Sequence, residues 1–172
     1  KTEEQAIIDV CRKLGIRISA LSTITAEELI RKDFDPLLEL IQGMLAPGLY
    51  ILAGASKIGK SWLVLQIAHH ISMGLPLWNR KTIKSDVLYL SLEDTERRIQ
   101  ARLLRICDGE TGKITFATEA EMLGNGFEQQ IISYMKAYPE TKLIIVDTLI
   151  KVRDVGWSNS AYADDYAFMT VF

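Results

Sequence analysis

Gly54-Ala55-Ser56-Lys57-Ile58-Gly59-Lys60-Ser61 sets two glycines, a lysine and a hydroxyl at the spacing G-x-x-x-x-G-K-S. Each residue type has a task if the partner is a chain of phosphates. Glycine lets the backbone approach closely, so the N–H groups of the loop can wrap an anion. A helix opening at the end of the loop adds its positive end and its unpaired N–H groups. Lys60 then reaches the β- and γ-phosphates, and the Ser61 hydroxyl ligates Mg2+. Lys57 is a second loop cation, open to a γ-phosphate, a neighbouring subunit or solvent. Residues 54–61 and Trp62, the next residue of the helix, therefore predict a site for ATP with Mg2+.

Two acids fit the same chemistry. Leu143-Ile144-Ile145-Val146-Asp147 is an apolar run that ends in one carboxylate, the way a Walker B strand delivers a ligand to the Mg2+ shell. Asp147 is thus the expected metal residue beside Ser61. Thr148 either holds a metal-bound water or caps the next turn. No glutamate follows Asp147, so the base for an attacking water must come from elsewhere. Glu93 stands at the tip of a second apolar run, Val87 to Leu92, and a carboxylate there can orient and deprotonate water. The competing role for Glu93-Asp94 is to cap the following helix. The two roles divide naturally, with Asp94 as cap and Glu93 as base. Glu93 and Lys60 are the expected catalytic residues.

Positioning these groups requires strands that end where the polar residues begin. Leu49 to Ala53, Val87 to Leu92 and Leu143 to Val146 are unbroken apolar runs of strand length, suited to a parallel sheet covered on both faces. Ile114-Thr115-Phe116 is a shorter fourth candidate. Helical spacing occupies the intervals: Trp62 to Met73, a stretch from Asp94 or Thr95 to Cys107, and Phe127 to Tyr138 before Pro139. The pattern predicts an α/β parallel sheet with helices on both faces, with ligands beyond the carboxyl ends of the strands. Upstream, residues 3–14 read as an amphipathic helix, and Thr25-Ala26-Glu27-Glu28 is a capping box that would turn Leu29 and Ile30 inward. Phe34-Asp35-Pro36 stops that helix, and a third stretch runs from Leu37 to Met44. The expected organisation is an N-terminal helical segment over 1–45 and a core over 46–172.

The 172 residues carry 20 Lys+Arg and 22 Asp+Glu, a net charge of −2, with 48% apolar residues. This excludes a disordered chain and a domain-wide basic coat, though a local patch can still bind nucleic acid. No apolar run approaches the roughly 18 residues of a membrane span, so no membrane role is expected. Cys11 and Cys107 stand far apart with no metal-ligand spacing, which predicts reduced thiols and, with no secretory leader visible, a cytoplasmic location. Of His69 and His70, one is expected to pack and one to be exposed. Arg97, Arg98, Arg102 and Arg105 read first as a solvated helix face, with DNA or subunit contact as the minority reading.

The runs Leu49 to Leu63, Val87 to Asp94 and Ile144 to Leu149 together resemble the RepA-like branch of RecA-type P-loop ATPases, an AAA domain family related to hexameric replicative helicases. The resemblance covers about residues 22–172, with Ser56 where the branch usually has proline. It implies a RecA-like fold, ATP and Mg2+ as cofactors, a homo-oligomeric ring (a hexamer), and single-stranded DNA as polymer substrate in replication or repair, with a helicase or loader role. It also places the base on the strand that ends at Glu93. In RecA-type proteins the loop after the Walker B strand faces the central channel. There Lys151 and Arg153 would suit phosphates and Trp157 a stacked base, although Trp157 equally suits packing. The alternatives to a DNA-directed ATPase are a nucleotide-gated assembly switch and, ranked lower, a P-loop small-molecule kinase. The resemblance further implies a parallel strand between those at 49–53 and 143–147 that comes later in the chain. Residues 148–172 contain no such apolar run, so the core is expected to be C-terminally incomplete and its hydrolysis weak. Direct pairing of the two strands is the alternative.

Overall fold

The computed structural model describes residues 23–153, together with Val10 and Lys13. The helix expected over 3–14 otherwise lies outside the described residues, as do Cys11, Trp157 and the helix expected after Ala161. The chain forms two compact units, 1–36 and 37–172. In the first, α1 (Ala26–Ile30) starts on the predicted capping box. Thr25 Oγ1 accepts from the Glu28 N–H at 3.2 Å, and Glu28 Oε2 accepts from the Thr25 N–H at 3.0 Å. Leu29 and Ile30, expected to face a core, are exposed. At five residues α1 is barely longer than one turn and presents no continuous apolar stripe.

The second unit is built from α2 (Lys60–Met73), β1 (Asp86–Ser91), α3 (Glu96–Ile106), β2 (Ile114–Ala117), α4 (Phe127–Ala137) and β3 (Thr141–Asp147). The three strands form a parallel sheet in the order β2-β1-β3. Side chains alternate across a strand, and the alternation sorts the core into two layers. Val87 and Tyr89 of β1 pack with Leu65, Ala68 and Ile71 of α2 on one face. Leu88 and Leu90 pack with Phe127 and Ile131 of α4 on the other. The α/β architecture with helices on both faces is therefore present. Residues 37–44 are not helical. Leu40 and Ile41 are buried in the α2-side core, and Ile41 bridges Thr82 and Leu45.

One expected strand is missing. Leu49 to Ala53 forms no ladder, and its apolar side chains are exposed, Ile51 by 58%. The reason is the pairing requirement of backbone polar groups. Both edges of β1 are taken by β2 and β3, and no described strand bridges 49–53 to the outer edge of β3. The direct pairing of 49–53 with 143–147 does not occur. For the same reason Leu143 to Val146 are only half-buried, whereas Val87 to Leu90 are buried.

Gly112 shows how tightly the turn after α3 is docked. Its φ is +43°, and a Cβ there would lie 2.4 Å from Ser72 Oγ and 2.8 Å from the Ser72 carbonyl carbon. A left-handed non-glycine residue costs roughly 1–2 kcal/mol and overpacking typically 1–3, so Gly112→Ala should destabilise by about 2–5 kcal/mol. Urea unfolding of the two proteins measures it.

Candidate nucleotide-binding site

Residues 54–59 form a loop that passes directly into the fourteen-residue helix α2, whose N-cap is Gly59. Gly59 has φ +98°, open to glycine, and a Cβ on it would meet nothing within 4 Å. The space beside the helix start is clear, and the first N–H groups of α2 are the ones no helical carbonyl can satisfy. Lys57, at φ +65°, also takes the left-handed conformation. Lys60 folds its side chain back inside the loop, where Nζ donates to the carbonyl oxygens of Gly54 and Ala55, each at 2.8 Å. Ser56, Lys57 and Ile58 form the exposed crest, and Ser61 is half-buried in the first turn of α2. Trp62 projects from that turn towards α3, with the guanidinium carbons of Arg102 and Arg105 at 5.8 and 6.0 Å from its ring centroid. Beside it an open cleft of about 480 Å³ is lined by Trp62, Leu63, Gln66, His70, Arg105 and Ile106.

The two expected acids meet at adjacent strand tips. Ser91 lies opposite Asp147 in the β1/β3 register, and the Leu92 N–H donates to the Asp147 carbonyl at 2.7 Å. Glu93 follows at once and is exposed. The Asp147 side chain lies on the α2 face of the sheet and accepts a 2.8 Å hydrogen bond from the Tyr89 hydroxyl. Burial, then the Asp147 carboxylate, pushes the Tyr89 phenol far above its ordinary range. The Asp147–Thr148 peptide is cis, and the chain continues into a 3-10 turn, Leu149–Lys151.

A family model described as an AAA domain matches residues 17–170. The chain belongs to the AAA domain family. No curated protein and no solved structure matches it. The family is one of P-loop ATPases, so nucleotide binding and ATPase chemistry follow for this AAA domain from membership, in agreement with the loop at 54–61. Its donor set also fits Mg2+. Among the described residues no three His, Cys, Asp or Glu cluster to hold a metal unaided. One hydroxyl, Ser61, and one carboxylate, Asp147, are what a cation needs when substrate phosphates and waters complete its shell. No helix among the described residues is long and apolar enough to cross a membrane.

Arg97, Arg98 and Arg105 of α3 are exposed, as expected of a solvated face, and Arg102 is not. Asp94 is paired with Arg102, whose Nη1 and Nη2 reach its two oxygens, and with Arg98, at 3.2 Å from Nε to Oδ1. The Asp94 side chain is 7% exposed, Arg102 18% and Arg98 65%. Asp94 therefore does not cap α3. Thr95 occupies that position, without a side-chain bond to the helix. Helical spacing gave no hint of this pair, because Asp94 precedes the helix and Arg102 lies eight residues on. The same arginine touches Trp62, so one guanidinium ties the residue after Glu93 to the residue after Ser61. Arg102→Met should cost about 1–3 kcal/mol, since it strips a mostly buried carboxylate of its main partner. Arg98→Ala should cost under about 1 kcal/mol, being largely exposed. Thermal unfolding of the two variants tests the contrast.

His69 packs as one of the pair was expected to, whereas His70 is half-buried and not exposed. His69 is buried with Nδ1 3.4 Å from the Cys107 sulfur, and His70 Nδ1 is 2.8 Å from the Pro76 carbonyl oxygen. Burial lowers the His69 pKa and raises that of the Cys107 thiol, which marks both as neutral packing groups. After β3, Val152 is fully buried in the α4-side core while Lys151 is exposed.

Proposed function

We propose that this AAA domain binds ATP with Mg2+ on residues 54–61 and hydrolyses it, as the ATPase of a RepA-like, RecA-type ring working on single-stranded DNA in replication or repair. The observation that carries the nucleotide part is a glycine-punctuated loop capping α2 on the same sheet face as the Asp147 carboxylate. In this reading the N–H groups from Gly54 through Ser61 wrap the phosphates, with Gly59 giving close approach. Lys60 exchanges the Gly54 and Ala55 carbonyls for phosphate oxygens. The Trp62 cleft receives the base, because an aromatic ring beside a guanidinium suits a flat heterocycle. Ser61 and Asp147 hold Mg2+, which supplies charge neutralisation at the phosphates. Glu93, exposed at the strand tip, takes the proton of the attacking water, while Asp94 is held by its arginines and does not compete.

Exposed Lys151 after β3 supports the DNA-facing loop, and the exposed Leu49 to Leu52 support assembly with further chain or with copies of this one. That same apolar exposure favours the second reading, a nucleotide-gated assembly switch. A small-molecule kinase fits less well, because Arg102 is committed to Asp94 and Trp62 instead of to a lid. Turnover of ATP with and without a single-stranded oligonucleotide separates the readings. DNA stimulation supports the ring ATPase, slow and indifferent turnover supports the switch, and phosphate on a small acceptor supports the kinase.

A further inference from the structure

We propose that Tyr89 is a positioning residue for the Mg2+ site: its hydroxyl occupies one oxygen of Asp147 and so turns the other towards the metal. This role rests on the reading of Asp147 as a Mg2+-side carboxylate. Three observations on the fold support it. First, register puts Tyr89 opposite Ile145, two residues before the Ser91–Asp147 pair, so Tyr89 and Asp147 share a sheet face as diagonal neighbours. Only a long side chain leaning along the strand spans that diagonal, and Tyr89 does so with a 2.8 Å bond to Oδ2. Second, the ring is immobilised. Tyr89 is 2% exposed, sits in the α2-side core and lies 5.4 Å from the Phe116 ring. A hydroxyl on a locked ring fixes its acceptor in turn, as partners of metal-ligating carboxylates do. Third, Asp147 Oδ1 has no hydrogen-bond partner among the described residues, so the fixed carboxylate keeps one oxygen for the cation. The ring packs in the core layer of α2, the helix whose first turn carries Ser61, so Tyr89 and that helix lie on one face of the sheet.

The test is Mn2+ affinity, measured by electron paramagnetic resonance on the full chain with ADP bound, for wild type, Tyr89→Phe and Asp147→Asn. Tyr89→Phe removes one oxygen from a packed ring. It should weaken Mn2+ by about 10–100-fold, the usual cost of losing such a partner, while ADP affinity in EDTA stays within about twofold. Unchanged Mn2+ affinity in Tyr89→Phe, with Asp147→Asn impaired, overturns the positioning role alone. Unchanged affinity in both overturns the metal reading of Asp147 and the role of Tyr89 with it. Should Tyr89→Phe fail to fold, the wild-type chain decides by NMR. The Tyr89 hydroxyl proton should stay in slow exchange with water when Mg2+–ADP is added, and its loss would show that metal binding breaks the bond.

Discussion

Lys60→Ala should remove ATP binding while leaving the fold intact. Among the described residues the ammonium serves only the carbonyls of Gly54 and Ala55, both exposed, so deleting it costs little stability. Against a phosphate chain the same ammonium would make charge-assisted bonds worth about 1.5–3 kcal/mol each. Two of them correspond to roughly 10²–10⁴-fold in affinity. Titration with a fluorescent ATP analogue reads the loss, and thermal unfolding checks that α2 is undisturbed. Affinity retained within about tenfold would remove Lys60, and with it the phosphate reading of the loop, from the account.

Glu93→Gln should separate binding from turnover. Glu93 is exposed, makes no hydrogen bond among the described residues and lies outside the Asp94 ion pairs, so the amide should not disturb the tip of β1. ATP affinity is expected to hold, and hydrolysis to fall by about 10²–10⁴-fold, the usual worth of a general base. Single-turnover hydrolysis of radiolabelled ATP measures it. Near-normal turnover would send the base elsewhere. Asp94 is then a poor substitute, since Arg102 engages both of its oxygens and Arg98 one of them, which leaves the carboxylate committed to its arginines instead of to a water.

Elements whose signals are local can be read from the residues without a fold. The loop at 54–61 is legible because phosphate wrapping demands glycine, lysine and hydroxyl at fixed spacing. Helices α2, α3 and α4 fall within a few residues of their apolar periods, and the strand tips at Glu93 and Asp147 announce themselves as acids ending apolar runs. Relations between distant residues emerge only once the chain is packed. An apolar run says that a strand is possible, whereas pairing says whether it exists: among the described residues Val87 to Ser91 finds two neighbours and Leu49 to Ala53 finds none. Tyr89 reads as one more apolar-run residue until the parallel register sets it diagonal to Asp147. Arg102 reads as a surface charge until α3 packs against α2 and brings it onto Asp94 and Trp62. In each case the deciding quantity is a distance between residues far apart in sequence, set by which backbone edges pair and which faces bury.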